Sequence, residues 1–81
     1  MPKIVKIFGY KIYFYANEGN EPCHVHISKD NKNSSKIWIE PEIKIEHNNA
    51  KISKKVLKDI IEWLNVHRDD VLQQWNKFFG N

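Results

Sequence analysis

The chain has 81 residues, 41% hydrophobic and 28% charged, with a net charge of +3. That composition supports one modest core and is that of a globular rather than a disordered protein, and no apolar run approaches the ~20 residues of a membrane-spanning helix. The mild positive charge permits a polyanionic partner without requiring one, while a single cysteine, Cys23, and lysines at positions 3 and 6 lead us to expect a cytoplasmic protein with neither an internal disulfide nor an export signal.

Residues 3–8 and 10–15 are rich in Ile, Val, Phe and Tyr, and Gly9 divides them, so two strands or one strand bent at Gly9 are expected. Residues 17–22 have loop chemistry. Residues 23–28 then alternate with period two, turning Cys23, Val25 and Ile27 to one face and His24, His26 and Ser28 to the other. A polar turn over 30–35 follows. Two more alternating strands are expected, 36–40 with Ile37 and Ile39 inward and 42–46 with Ile43 and Ile45 inward. Pro41 makes a bend or edge between them, and Asn48-Asn49 is a closing turn.

From residue 53 the period becomes helical. Val56, Leu57, Ile60, Ile61, Leu64, Val71, Leu72, Trp75, Phe78 and Phe79 form an apolar stripe between a Ser53 N-cap and a Gly80 stop. One helix over 53–79 would be about 40 Å long, against ~17–20 Å for the strands. Either it breaks near Asn65-Val66-His67, where Asn65 or His67 caps a second segment with Asp69 and Asp70 in its first turn, or it runs on. The continuous helix is the favoured expectation, its overhang placing Leu72, Trp75, Phe78 and Phe79 against a partner. The chain is thus expected to be one α+β domain over 1–81, an antiparallel sheet of three to five short strands within 3–47, packed on one face by the helix.

The opposite sheet face would carry His24, His26, Ser28, Lys36, Trp38, Glu40, Glu42, Lys44 and Glu46, with Tyr13 and Tyr15 beside them. Aromatic rings among cations suit single-stranded RNA, since bases stack on the rings while cations take the phosphates. The same features mark a protein interface or ordinary cross-strand pairing. Lys51, Lys54, Lys55 and Lys58 crowd the start of the helix, where its own dipole is positive, and so form a candidate phosphate or carboxylate site, or else a solvated surface. Arg68 could fork onto phosphate or onto Glu62 or Asp70.

His24 and His26 share a face, about 6–7 Å apart along the strand, close enough to exchange protons at a phosphate. They could also ligate one metal, but zinc would need a further ligand such as Cys23, His47 or His67, so the expectation is no metal and no cofactor. No nucleophile motif, Gly-rich phosphate loop or paired-carboxylate pattern occurs.

The stretch KIFGYKIYFYA after Met1-Pro2, the PCHVH segment, Lys54-Lys55 and EWLNVHRDDVLQQW together resemble a small bacterial family, domain-of-unknown-function family 4160. Pro22, His24, His26, Trp63, His67, Arg68, Leu72 and Trp75 match its pattern in order. The chain departs from it at Cys23 and Val25, where the family usually has proline and phenylalanine. The resemblance implies a stand-alone protein, often encoded beside domain-of-unknown-function family 2442 and suspected of being a toxin–antitoxin component. From this two functions are expected. One is a toxin-like, metal-independent ribonuclease or RNA-binding protein. It would use His24, His26 and His67 for acid–base cleavage, Lys51, Lys54, Lys55 and Arg68 for phosphates, and Tyr13, Tyr15 and Trp38 for stacking. The other is a non-enzymatic interaction or regulatory module that dimerises or binds a neighbour-encoded protein.

Overall fold

The computed structural model describes residues 3–15, 19–30 and 32–80. Phe8 and Gly9 both take positive φ, 52° and 81°, as a two-residue hairpin turn matched to strand twist requires. They join β1 (Lys3–Ile7) to β2 (Tyr10–Tyr13), with Ile7 opposite Tyr10. Gly9 therefore marks a hairpin rather than a bend within one strand. The loop expected at 17–22 is described only from Gly19.

Strands β3 (His24–Ser28), β4 (Ser34–Trp38) and β5 (Lys44–Asn48) continue an antiparallel meander in the order β1-β2-β3-β4-β5. Val25 lies opposite Ile37 and His24 opposite Trp38, so the expected inward and outward sets of β3 hold. Two boundaries differ from expectation. Ser34 and Ser35 belong to β4 rather than to the turn, and β5 lies two residues later than predicted. The register shifts between Lys36–His47 and Ile37–Ile45, a bulge at Glu46 and His47 that the alternation cannot reveal. At this edge of the sheet Ile43 still packs against the core, but Ile45 is 38% exposed instead of buried.

Asn48 holds this edge to the helices. Its Oδ1 accepts from the Ser35 hydroxyl (2.5 Å) and the Ile52 N–H (3.1 Å), and its Nδ2 donates to the Ile52 carbonyl (3.0 Å). The Ser35 hydroxyl in turn accepts from the Ala50 N–H at 3.2 Å.

The helical half is broken at His67, giving α1 (Lys54–Val66) and α2 (Arg68–Phe79). The favoured continuous helix is thus corrected to its alternative. A helix of about 40 Å would exceed the molecule's longest dimension of 34 Å, whereas the break returns Val71 and Trp75 to the core, 1% and 3% exposed. Ser53 caps α1 by accepting from the Val56 N–H. Asp69 and Asp70 occupy the first turn of α2 and Lys77 its last, with the signs the helix dipole favours, and Gly80 at φ 75° ends it.

Both helices cover one sheet face. Ile12, Phe14, Val25, Ile27, Ile37 and Ile39 meet Ile52, Ile60, Leu64, Val71 and Trp75 there. Phe14 contacts the rings of Trp75, Phe78 and Phe79 at 5.1–5.6 Å. Phe79 also closes against Gly19, where a Cβ would lie 2.5 Å from its ring. No helix among the described residues is long and apolar enough to cross a membrane.

Candidate functional site

The outer sheet face is built by the alternate residues of β2, β3 and β4, but it is not the open platform that their alternation suggests. His24 is fully buried and His26 8% exposed. The His26 ring stacks on Tyr13 (5.7 Å) and packs on Tyr15 (4.9 Å), while His24 lies 5.2 Å from each of His26, Trp38 and Trp75. Rings therefore run from Tyr15 through the two histidines to the tryptophans, and the histidines are the middle of that ladder. The Nδ1 of His24 lies 3.0 Å from the Pro22 carbonyl, a contact in which the nitrogen must be the donor, and its Nε2 is 3.7 Å from a Glu21 carboxylate oxygen.

Tyr13, 3% exposed, has no ring face for a base to stack on. Burial, followed by its hydrogen bond to Tyr15, pushes its phenol up to about 12. Tyr15 is 40% exposed. On the core side, burial and then the Glu40 carboxylate push the Cys23 thiol up to about 12, while Arg68 acts the other way. The thiol therefore stays protonated at neutral pH. Among the described residues no group of three or more His, Cys, Asp or Glu side chains is arranged to hold a metal ion.

The accessible part of this face lies around Trp38. Its indole N–H donates to Glu46, and the Lys36 ammonium sits 4.2 Å from its ring centroid and 3.7 Å from Glu21. Beside it opens a hollow of about 320 Å³ lined by Pro22, Trp38, Glu40, Pro41, Glu42, Lys44 and Glu46. Three carboxylates against one ammonium give it an acidic character, opposite to the cationic surface expected around Trp38.

Arg68 supports that hollow from behind. Its Nε donates to the Ile39 carbonyl (3.1 Å) and its Nη2 to the Pro41 carbonyl (3.2 Å). The guanidinium predicted for phosphate, or for Glu62 or Asp70, thus holds the bend after β4 and ties the helix break to the hollow's wall.

The remaining predicted site residues lie elsewhere. His67 does not join the other two histidines: it stacks on Trp63 at 4.4 Å, faces Asp70 at 3.6 Å, and lines a second hollow with Phe8, Asp59, Glu62, Trp63 and Val66. Lys51, Lys54 and Lys55 are exposed around the start of α1, whose first turn holds no acid. Of the four residues predicted for a partner, Trp75 is in this chain's own core and Leu72 and Phe79 pack against it, which leaves Phe78, 49% exposed, beside Phe14, Gln74 and Lys77. The carboxylates Glu40, Glu42 and Glu46 are the functional candidates that sequence reasoning passed over. Their signal was present in the alternation of Trp38, Glu40, Glu42, Lys44 and Glu46 on one face.

A family model described as Domain of unknown function (DUF4160) matches residues 9–76, most of the chain. No curated protein and no solved structure matches it.

Proposed function

We propose that this chain, which belongs to the DUF4160 family, is a non-enzymatic protein-interaction module that docks a basic segment of a partner protein at the Trp38 hollow. The observation that carries this reading is the hollow itself: an indole held edge-on by Glu46, flanked by Glu40 and Glu42, in a space of about 320 Å³. Such a space accepts a lysine or arginine side chain, whose charge meets the carboxylates beside an indole that already holds one ammonium, that of Lys36. The burial of His24 and His26 supports the same reading, because neither imidazole has room for a scissile phosphate beside it. In this role the histidines set the position of Trp38 from the interior of the sheet. A cytoplasmic location and a partner encoded beside this chain go with the proposal. Co-purification of the neighbour's product with wild type but not with Trp38→Ala tests it, and capture that survives Trp38→Ala would discard it.

A second reading, a toxin-like protein that binds RNA, is favoured by the lysines at the start of α1. Lys54 and Lys55 stand exposed at the positive end of a helix with no acid in its first turn. Growth inhibition on expression, relieved by Lys54→Glu/Lys55→Glu, would select this reading over the first.

A further inference from the structure

The open edge of the sheet at β5 carries a pattern of its own. Among the described residues β5 pairs only with β4, and no other backbone hydrogen bond reaches residues 43–47, so one row of its N–H and C=O groups is open to another strand. Lys44 lies opposite Trp38, and Glu46 accepts from the Trp38 indole, which sets both side chains on the outer face. Ile45, opposite the core residue Ile37, belongs to the helix face, yet it is 38% exposed. The edge thus reads cation, aliphatic, anion, with the exposed Glu42 just before it. At its far end the Lys51 N–H donates to the Asn48 carbonyl at 3.1 Å, which folds an exposed lysine back beside the end of the strand.

We infer that this edge binds the β5 edge of a second copy of the chain, antiparallel, about a two-fold axis normal to the sheet at Ile45. Such an axis keeps every side chain on its own face, and residues directly opposite in an antiparallel pair share a face at about 4.5–5.5 Å. Ile45 then meets Ile45 of the second copy on the helix face, and each covers the other. On the outer face Lys44 meets Glu46 of the second copy, and symmetry repeats the pair, as an interface between like surfaces requires. Glu42 of each copy comes opposite Asn48 of the other, where Lys51 is folded back. The pleat permits only registers that differ by two residues, and the two on either side set Lys44 against Lys44 or Glu46 against Glu46, so charge selects this one. The bulge at Glu46 and His47 ends the regular ladder there, which keeps the shared ladder short and the association weak. The pairing goes beyond the docking proposal: it joins two sheets edge to edge, and Ile45 lies on the face away from the Trp38 hollow.

Sedimentation equilibrium and amide hydrogen exchange on the full chain test the inference. Wild type should be mostly dimeric at ~1 mM and mostly monomeric at ~10 µM, the range of a small interface. The edge amides within residues 44–46 should exchange about fourfold more slowly at the higher concentration. Lys44→Glu makes the outer-face pairs wholly acidic and Glu46→Lys makes them wholly basic. Each variant alone should be monomeric at the higher concentration with an unchanged circular dichroism spectrum, and an equimolar mixture should restore a dimer. Ile45→Lys should also be monomeric, yet should still capture the neighbour's product, which separates failure of the pairing from failure of the docking site. A wild type that stays monomeric at the higher concentration, a dimer that survives Ile45→Lys, or a mixture that stays monomeric would overturn the inference. So would edge amides that slow only when the neighbour's product is added, an outcome that would assign the edge to a strand of that partner.

Discussion

Arg68→Ala removes the contacts that join the helix break to the end of β4. The guanidinium donates to Ile39 O at 3.1 Å, in a partly buried setting, and to Pro41 O at 3.2 Å, near the surface. A hydrogen bond from a charged donor contributes about 1.5–3 kcal/mol when sheltered, and an exposed one lies at the lower end of about 0.5–1.5 kcal/mol. The two together predict a loss of about 2–4 kcal/mol, or on the order of 10–20 °C in Tm for a domain of this size. Arg68→Lys should recover less than half of that loss, because an ammonium lacks the planar fork that reaches two carbonyls at once. Urea unfolding followed by circular dichroism measures both variants. The reasoning fails if Arg68→Ala lies within about 0.5 kcal/mol of wild type, the range of an ordinary surface change.

Asn48→Ala should cost about 2–3 kcal/mol by the same assay, since Ser35 and both backbone groups of Ile52 lose their partner; Asn48→Asp, which keeps the accepting oxygen, should cost less. Gly19→Ala drives a methyl group to 2.5 Å from the Phe79 ring and should destabilise by about 1–3 kcal/mol, an effect that Phe79→Leu should relieve in the double variant. The Cys23 thiol, raised from 9.0 to about 12, binds its proton more tightly folded than unfolded. Its contribution is therefore complete below about pH 9 and lost as pH rises toward 12, with a slope of at most about 1.4 kcal/mol per pH unit. Denaturation midpoints measured from pH 7 to 11 should fall more gently in Cys23→Ala, while Tyr13, raised from 10.0 to about 12, keeps part of the slope.

How much of this was legible in the sequence depended on whether the information was local. The period of two in β3 correctly assigned Val25 and Ile27 to the core and the histidines to the opposite face. It gave direction but not exposure. The rings that bury His24 come from Trp38 and Trp75, 14 and 51 positions along the chain, and no local pattern reports them. The helix break was visible in Asp69 and Asp70 as first-turn residues, yet apolar spacing stays in phase from Leu64 to Val71, so the periodicity favoured one helix. The role of Arg68 was hidden because its acceptors are backbone carbonyls 29 and 27 positions away. The bulge at Glu46 and His47 moved β5 out of its predicted place and exposed Ile45.

Co-expression of this chain with the product of its neighbouring gene, followed by capture on a tag carried by this chain, tests the docking proposal most directly. The account predicts that wild type and His67→Ala retain the neighbour's product, while Trp38→Ala, and Glu40→Gln combined with Glu46→Gln, lose it without loss of fold. Retention by the Trp38→Ala variant, or no capture by the wild type, would contradict it.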